Sequence, residues 1–359
     1  MNKKELVGSA CLEQALRRII SVSANRCNFL ACFVCALLQV KTVNLAELAK
    51  AFEREAQSES SYKRIQRFLR EMNLSDLNLG LLLCQILGLD GKLKLAIDRT
   101  EWKFGQIWIN VLMVSVIHRG VAIPLLWQVL NQKGCVSASQ HVSILRRAVT
   151  LLGIARIEFV SADREFGTQE LIGYLIEQEI RFRLRLKKNV WLKAEGKSHS
   201  IERWCAGQEK KVKVKVRGRV EIFGYGLFVQ IKRLSETEYL IVAAPDSQTD
   251  LIADYKQRWQ IETLFGCLKS RGFRLEETHL KQAARIENLL WLLALALCWA
   301  IATGEEIVKK KPVKKKKHGR AIKSLFRVGL DKLQEVFYKR HQPAKAKQFK
   351  ELVNLLSCT

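Results

Sequence analysis

From Gly91 the apolar residues of this chain fall on every second position. In "KLKLAID" Leu93, Leu95 and Ile97 share one face and Lys92, Lys94, Ala96 and Asp98 the other, the period of a strand. "GQIWINVLMVSVI" and "VAIPLLWQVL" read as two further strands, hinged at His118-Arg119-Gly120, which makes a three-stranded meander. The period then lengthens. "SQHVSILRRAVTLLG" and "TQELIGYLIEQE" read as helices, alternating with the strands "ARIEFVSAD" and "RFRLRLK". Residues 254–273, "DYKQRWQIETLFGCLKSRGF", read as one more helix. Strand character returns between these last two segments, over roughly 190–247. There "KKVKVKVRGRV" alternates valine with lysine or arginine, giving one apolar and one basic face.

The order β-β-β-α-β-α-β-α is that of a ribonuclease H-like mixed sheet. The fold class expected is therefore α/β, with a β-strand insertion before the last helix of the sheet domain. Residues 1–88 carry a helical pattern, broken by turn signals at "SVSANRC" and "AQSESS", and are expected to form a helical N-terminal domain. The sheet domain spans 89–304, with its insertion at about 190–247. Residues 305–359 form a basic tail followed by amphipathic helices. The longest apolar run, Leu289 to Ala302, has 14 residues, short of the roughly 20 that cross a bilayer. A buried helix is expected there.

Charge narrows the choice of partner. Lys and Arg number 61 against 35 Asp and Glu, a net +26 over 359 residues. Such an imbalance points to a polyanion, DNA before an acidic membrane surface, which would need an anchor this sequence does not show. Seven of the nine residues 309–317 are lysine, a block that usually acts as an interaction tail. "SSYKRIQRFLREM" sets Ile65, Phe68 and Leu69 on one helical face and basic residues on the others, so Arg64 and Arg67 are DNA-binding candidates. The same pattern serves a solvated surface helix. The first residues lack the layout of a secretion signal, and ten cysteines without a disulfide-like framework suit a reducing cytoplasm. Cys32 and Cys35 sit in an apolar stretch without a second ligand pair, and His118, His141 and His279 show no metal-ligand spacing.

Three acidic residues fall where such a sheet would gather them. Asp98 is expected to end the first strand, Asp163 to end the fourth, and Glu262 to lie on the late helix crossing near both. Each alone is an ordinary turn or surface residue. Together they would repel unless divalent cations neutralised them, and hard oxygen ligands suit Mg²⁺ or Mn²⁺. Two such ions per site are the expected cofactor, since a pair can steady the attacking and leaving oxygens of a displacement at phosphorus. Glu101 and Glu165 stand close by and are expected to support these ligands instead of replacing them.

The helix at 254–273 adds a stripe that an amphipathic helix does not need. At about 100° per residue, Tyr255, Arg258, Glu262 and Lys269 fall within about 60° of one another, beside Ile261, Leu264, Phe265 and Leu268. "YKQRWQIETLFGCLK" thus fits Tyr-x2-Arg-x3-Glu-x6-Lys and resembles the signature of the insertion-sequence-four family of DDE transposases. "IDRT" at 97–100 and "ADREFG" at 162–167 are similar to that family's first and second aspartate regions. The resemblance covers roughly residues 60–335. It implies metal-dependent cut-and-paste transposition of an insertion sequence. Asp98, Asp163 and Glu262 would be the catalytic and metal-binding carboxylates. One 3′ strand would be nicked, a hairpin would form and open, and the 3′-hydroxyl would join target DNA. Tyr255, Arg258 and Lys269 would grip the DNA backbone, and Trp191 and Trp204 are candidates to stack on a flipped base. The partners implied are terminal inverted repeats and target DNA, held by a homodimer in the cytoplasm, nucleoid-associated when bound to DNA. The alternatives are a transposase-derived DNA-binding protein that has lost catalysis, and a ribonuclease H-like metal nuclease without strand transfer.

Overall fold

The computed structural model of this chain describes residues 8–52, 58–72, 78–194, 196–200, 203, 213–314 and 321–357. It opens with five helices, α1 (Ser9–Ile19), α2 (Ala24–Val40), α3 (Leu45–Lys50), α4 (Ser58–Glu71) and α5 (Leu79–Ile86). A meander of three long strands follows, β1 (Leu93–Phe104), β2 (Ile107–His118) and β3 (Val121–Leu130). Then come α6 (Ala138–Leu152), β4 (Ile157–Ala162), α7 (Gln169–Glu177) and β5 (Phe182–Arg185). Caps explain where two of these helices start. Ser137 and Gln140 close a reciprocal capping box before α6, and the Thr168 hydroxyl accepts from the Leu171 amide before α7.

β1 runs six residues past Asp98 and does not end there. The two residues Gly105 and Gln106 form the turn into β2, with Gly105 at φ 59°, and the ladder stays paired to Phe104↔Ile107. Asp98 therefore sits in mid-strand, paired with Met113.

The strands add up to one mixed sheet. Six more follow β5 in the chain: β6 (Trp191–Ala194), β7 (Lys197–Ser200), β8 (Lys213–Lys215), β9 (Val220–Ile222), β10 (Tyr225–Arg233) and β11 (Tyr239–Ala244). The order across the sheet is β3-β2-β1-β4-β5-β11-β10-β9-β6-β7, with β8 paired to β10 off that path. β4 lies parallel to both β1 and β5, whereas β11 meets β5 antiparallel. Parallel central strands need cover on both faces. The apolar residues of β1 and β4 are accordingly buried on both sides, which a strict alternation would not give.

Residues 254–273 form two helices, α8 (Leu251–Lys256) and α9 (Trp259–Leu268), instead of one. Across the junction the backbone stays right-handed but tightens to i→i−3 bonds: Gln257 to Asp254, Arg258 to Tyr255 and Ile261 to Arg258. A 3₁₀ step has three residues per turn, so it stacks Arg258 directly over Tyr255 and ends the regular α-helical stripe. α8 packs on β5, β10 and β11, and α9 on β1, β2 and β3.

Behind the sheet runs α10 (Ala283–Lys310), followed by α11 (Leu325–Tyr338) and α12 (Pro343–Asn354). α10 has the length and apolar composition of a bilayer-spanning helix, but its apolar window is 89% buried inside the molecule. It packs on α2, α4, α5, β3 and α11, so one continuous apolar core joins the N-terminal helices, the sheet and the C-terminal helices. α10 and α11 touch backbone to backbone at a glycine. A Cβ added to Gly329 would lie 1.6 Å from the Ala300 carbonyl oxygen and 2.7 Å from the Gly304 nitrogen. Neither neighbour is a flexible side chain, so the helices themselves would have to separate. Gly329→Ala is expected to lower stability by about 3 kcal/mol, read from chemical denaturation, since overpacking that backbone cannot relieve falls at the upper end of its usual cost.

Candidate active site

Strand register brings the first two carboxylates together. In the parallel β1–β4 ladder Ile97 is opposite Ala162, so the next residues, Asp98 and Asp163, leave neighbouring strands side by side. Such strands are about 4.8 Å apart. Glu262 arrives from the first turn of α9. The Asp98 side chain is the most enclosed at 13% exposure, followed by Asp163 at 31% and Glu262 at 39%. The cluster therefore opens outward along one direction, from the sheet towards the helix.

Arg258 is the hub that connects them. Its side chain is only 5% exposed. Nη1 donates to Asp98 Oδ2 at 2.5 Å, Nη2 lies 3.5 Å from Glu262 Oε1, and Nε donates to the Tyr255 hydroxyl at 3.2 Å. The Tyr255 hydroxyl in turn donates to Asp163 Oδ1 at 3.1 Å, which also receives Arg185 Nη1 at 3.3 Å. One guanidinium thus reaches two carboxylates directly and the third through a phenol.

The electrostatics follow from enclosure. Burial pushes the Asp98 carboxyl up to about 7. Glu262 and Asp163 add to that rise, while Arg258 and the Arg99 amide oppose it. At Asp163 burial also pushes upward, but the Arg164 amide, Arg258, Arg185 and the Tyr255 hydroxyl together hold the carboxyl below its ordinary value. Burial raises the Tyr255 hydroxyl to about 12, so it stays a donor. Two neighbouring aspartates are thereby pushed in opposite directions, a pattern that functional sites share with structural ion-pair networks.

The other expected residues lie apart from this hub. Lys269, past the end of α9, donates to the Glu101 carbonyl at 3.1 Å, pairs with Glu276 at 2.6 Å and sits 5.6 Å over the Trp102 ring. Glu101 and Glu165 both pair with Arg99, at 3.0 and 2.8 Å, which fixes them beside β1. On α4, Arg64 is half-buried with its guanidinium 5.3 Å over the Phe29 ring, whereas Arg67 is exposed. Trp191, on β6, is 62% exposed, and Trp204 lies outside the described residues.

Two participants were not singled out from sequence. Arg185 is the last residue of a short strand and carries no motif. Trp259 is 64% exposed immediately beside Arg258, in a stretch whose apolar residues read as core. Trp259 faces a cleft of about 1560 Å³, whose walls also include Tyr255, Arg258, Arg119, Lys256, Lys309 and Lys323. Tyr255 and Arg258 thus connect the carboxylate network to a basic, aromatic-edged cleft, a lining that suits a phosphodiester strand.

Comparison with known proteins gives the class. The Transposase DDE domain model matches residues 90–299, and the chain belongs to that family. The matched span runs from the start of β1 through most of α10 and includes all three carboxylates. A search of curated proteins found no match. Among solved structures, the cryo-EM structure of the piggyBac transposase synaptic complex with hairpin DNA is similar at 10% identity and a TM-score of 0.47, over 97% of this chain and 73% of that one.

The raised Asp98 carboxyl has a consequence for stability. Its folded-state value, about 7, lies above the unfolded one of about 4, so the native state holds the extra proton between those values. That contribution is complete below about pH 4 and is lost as pH rises through about 7. Asp163, held low, acts oppositely and at more acidic pH. Thermal unfolding of the metal-free protein at pH 5 and pH 8 is expected to show a loss on the alkaline side that Asp98→Asn flattens.

Proposed function

We propose that this chain is a transposase of the insertion-sequence-four kind, acting by cut-and-paste on DNA ends, with Asp98, Asp163 and Glu262 as its catalytic carboxylates. One observation carries the reading: the β1–β4 register sets Asp98 beside Asp163, and Arg258 links Glu262 to the same cluster. The strand order β3-β2-β1-β4-β5, with β4 parallel to both neighbours, supports a ribonuclease H-like assignment for this part of the sheet. Membership of the DDE transposase family and the basic cleft support DNA as the substrate.

In this reading water displaces one phosphate ester bond at the element's end and frees a 3′-hydroxyl. That hydroxyl attacks the opposite strand to form a hairpin. Opening the hairpin with water restores it for attack on target DNA. Every step exchanges one P–O bond for another, so no oxidant or energy source is required. The protein must hold attacking and leaving oxygens in line and stabilise charge on the phosphorus oxygens. Lys256, Lys309 and Lys323 would track the backbone along the cleft. Arg67 on α4 would contact the terminal inverted repeat, within an N-terminal end-binding domain. Trp259 joins Trp191 and Trp204 as a candidate for a flipped base. A homodimer on paired ends completes the reading.

This chemistry implies divalent ions. Three carboxylates are the right donors in kind for Mg²⁺ or Mn²⁺. Their arrangement does not fit. Among the described residues no three acidic, cysteine or histidine side chains stand together as an ion would require, because the Arg258 guanidinium lies between Asp98 and Glu262.

Glu262→Gln keeps the size of the side chain and removes its charge. On DNA carrying the element's end, in buffer with Mg²⁺, end binding is expected to survive in a gel-shift assay. Strand nicking is expected to fall by roughly a thousandfold, about 4 kcal/mol of transition-state stabilisation. Equal nicking by wild type and variant would remove Glu262 from the catalytic set. End binding without nicking by either protein would favour a DNA-binding descendant that has lost catalysis.

A further inference from the structure

We propose that Arg258 is the resident counter-cation of the carboxylate cluster. It fills the place of a divalent ion until a DNA phosphate draws it into the cleft. This rests on reading Asp98, Asp163 and Glu262 as the catalytic set, and it adds a regulation of that site by its own substrate.

The disagreement between donor type and arrangement is the starting point. Three carboxylates at the edge of the core are costly without positive charge. Here that charge is a guanidinium with each of its three nitrogens committed: Nη1 to Asp98, Nη2 to Glu262 and Nε to the Tyr255 hydroxyl. A cation bridging Asp98 and Glu262 would have to occupy the space between their oxygens, and the planar fork of Arg258 is already there. The two occupants exclude each other.

Arg258 also has somewhere to go. With Tyr255 it forms part of the wall of the 1560 Å³ cleft, next to Lys256 and Trp259. A guanidinium binds phosphate as well as carboxylate through the same two-pronged geometry. A phosphodiester seated in the cleft would therefore offer Arg258 an alternative partner at the wall that its own side chain helps to form. Its departure would leave the three carboxyl groups without their counter-cation and the space between Asp98 and Glu262 open to a divalent ion.

Two consequences follow from linkage. While Arg258 occupies the cluster, apparent metal affinity is reduced by the fraction of molecules with the site open. Whatever factor DNA adds to metal affinity, metal must add to DNA affinity. The DNA-free protein would hold its carboxylates inert and become competent only when a strand is seated.

The test is a Mn²⁺ titration of metal-free protein, read from the loss of the free-ion paramagnetic resonance signal. The proteins compared are wild type, Arg258→Ala and Arg258→Lys, with circular dichroism to establish folding. Without DNA, Arg258→Ala is expected to bind Mn²⁺ about tenfold more tightly than wild type, within the usual range of such couplings. Arg258→Lys should fall between them, since its smaller cation cannot bridge both carboxylates. Equal affinities in the folded proteins would overturn the proposal.

Should the alanine variant fail to fold, wild type alone decides. A short mixed-sequence DNA duplex is expected to tighten its Mn²⁺ binding about tenfold beyond the duplex's own uptake. No such tightening would again overturn the proposal. Failure of the catalytic reading looks different. There Glu262→Gln would leave DNA nicking intact, whatever Arg258 does to the metal.

Discussion

The arrangement depends on one buried cation. Asp98 and Asp163 are forced together by strand register, and no choice of rotamer can place two carboxylates on adjacent parallel strands far apart. Glu262 approaches from a helix that must lie against β1, β2 and β3 to cover their apolar face. Their mutual repulsion is met by Arg258, whose position follows from the tightened turn between α8 and α9. In one regular helix Arg258 would lie about 60° round from Tyr255, whereas the tightened turn stacks the two directly. With the two stacked, a single guanidinium reaches Asp98 and Glu262 directly and Asp163 through the phenol.

A second network holds that turn in place. Arg183, 3% exposed on β5, donates to Asp246, to Thr249 and to Asp254, the residue before Tyr255. The start of α8 is further tied by Asp250, which caps the Ile252 and Ala253 amides. These contacts anchor α8 to the part of the sheet that carries Asp163. α9 answers to the β1–β3 side, which carries Asp98. The junction between the two helices thus spans the boundary between two halves of the sheet, and the charged residues at that boundary report on how the halves sit. Losing one partner of a buried pair such as Arg183–Asp254 would expose the other to an uncompensated burial, so this network resists change more than surface pairs do.

Much of the architecture was legible because its signals are local. Alternation marked β1, β2 and β3, and the glycine at the β2–β3 hinge marked their turn. The mixed α/β character followed from the change of period after Leu130. What local pattern missed came from tertiary causes. The extent of β1 beyond Asp98 is set by hairpin pairing with β2, not by its own alternation, which "RTEWKF" obscures with polar residues. The split of the 254–273 helix carries no proline or glycine, and arises where the two helices commit to different strands. At the site, Tyr255, Arg258 and Glu262 stood out by helical spacing and Asp98 and Asp163 by their place on the expected strands, and the structure draws these five into one network. Lys269 keeps nearly the same face as Glu262, but seven residues further along the helix it meets the Glu101 carbonyl and Glu276 instead of the hub. Arg185 had no signal, because its role depends on β5 lying parallel beside β4.

Charge explains why such a site is stable without its substrate. The chain carries +26, yet its cations are not simply spread over a solvated surface. Arg99, Arg183, Arg185 and Arg258 are each mostly buried and matched to acids within the fold. Arg119, Lys256, Lys309 and Lys323 on the cleft walls are cations of another kind, able to exchange small counterions for a polyanion. In the proposed reading, a strand entering the cleft would meet Lys256, Lys309 and Lys323 on its walls before the internally paired Arg258. Drawing out a buried guanidinium carries a higher desolvation cost than pairing exposed lysines, so a strand already aligned by those lysines would be the one able to meet it. Selectivity for a seated strand would then need no separate sensor, because the cation that stabilises the cluster would be the one the substrate has to draw away.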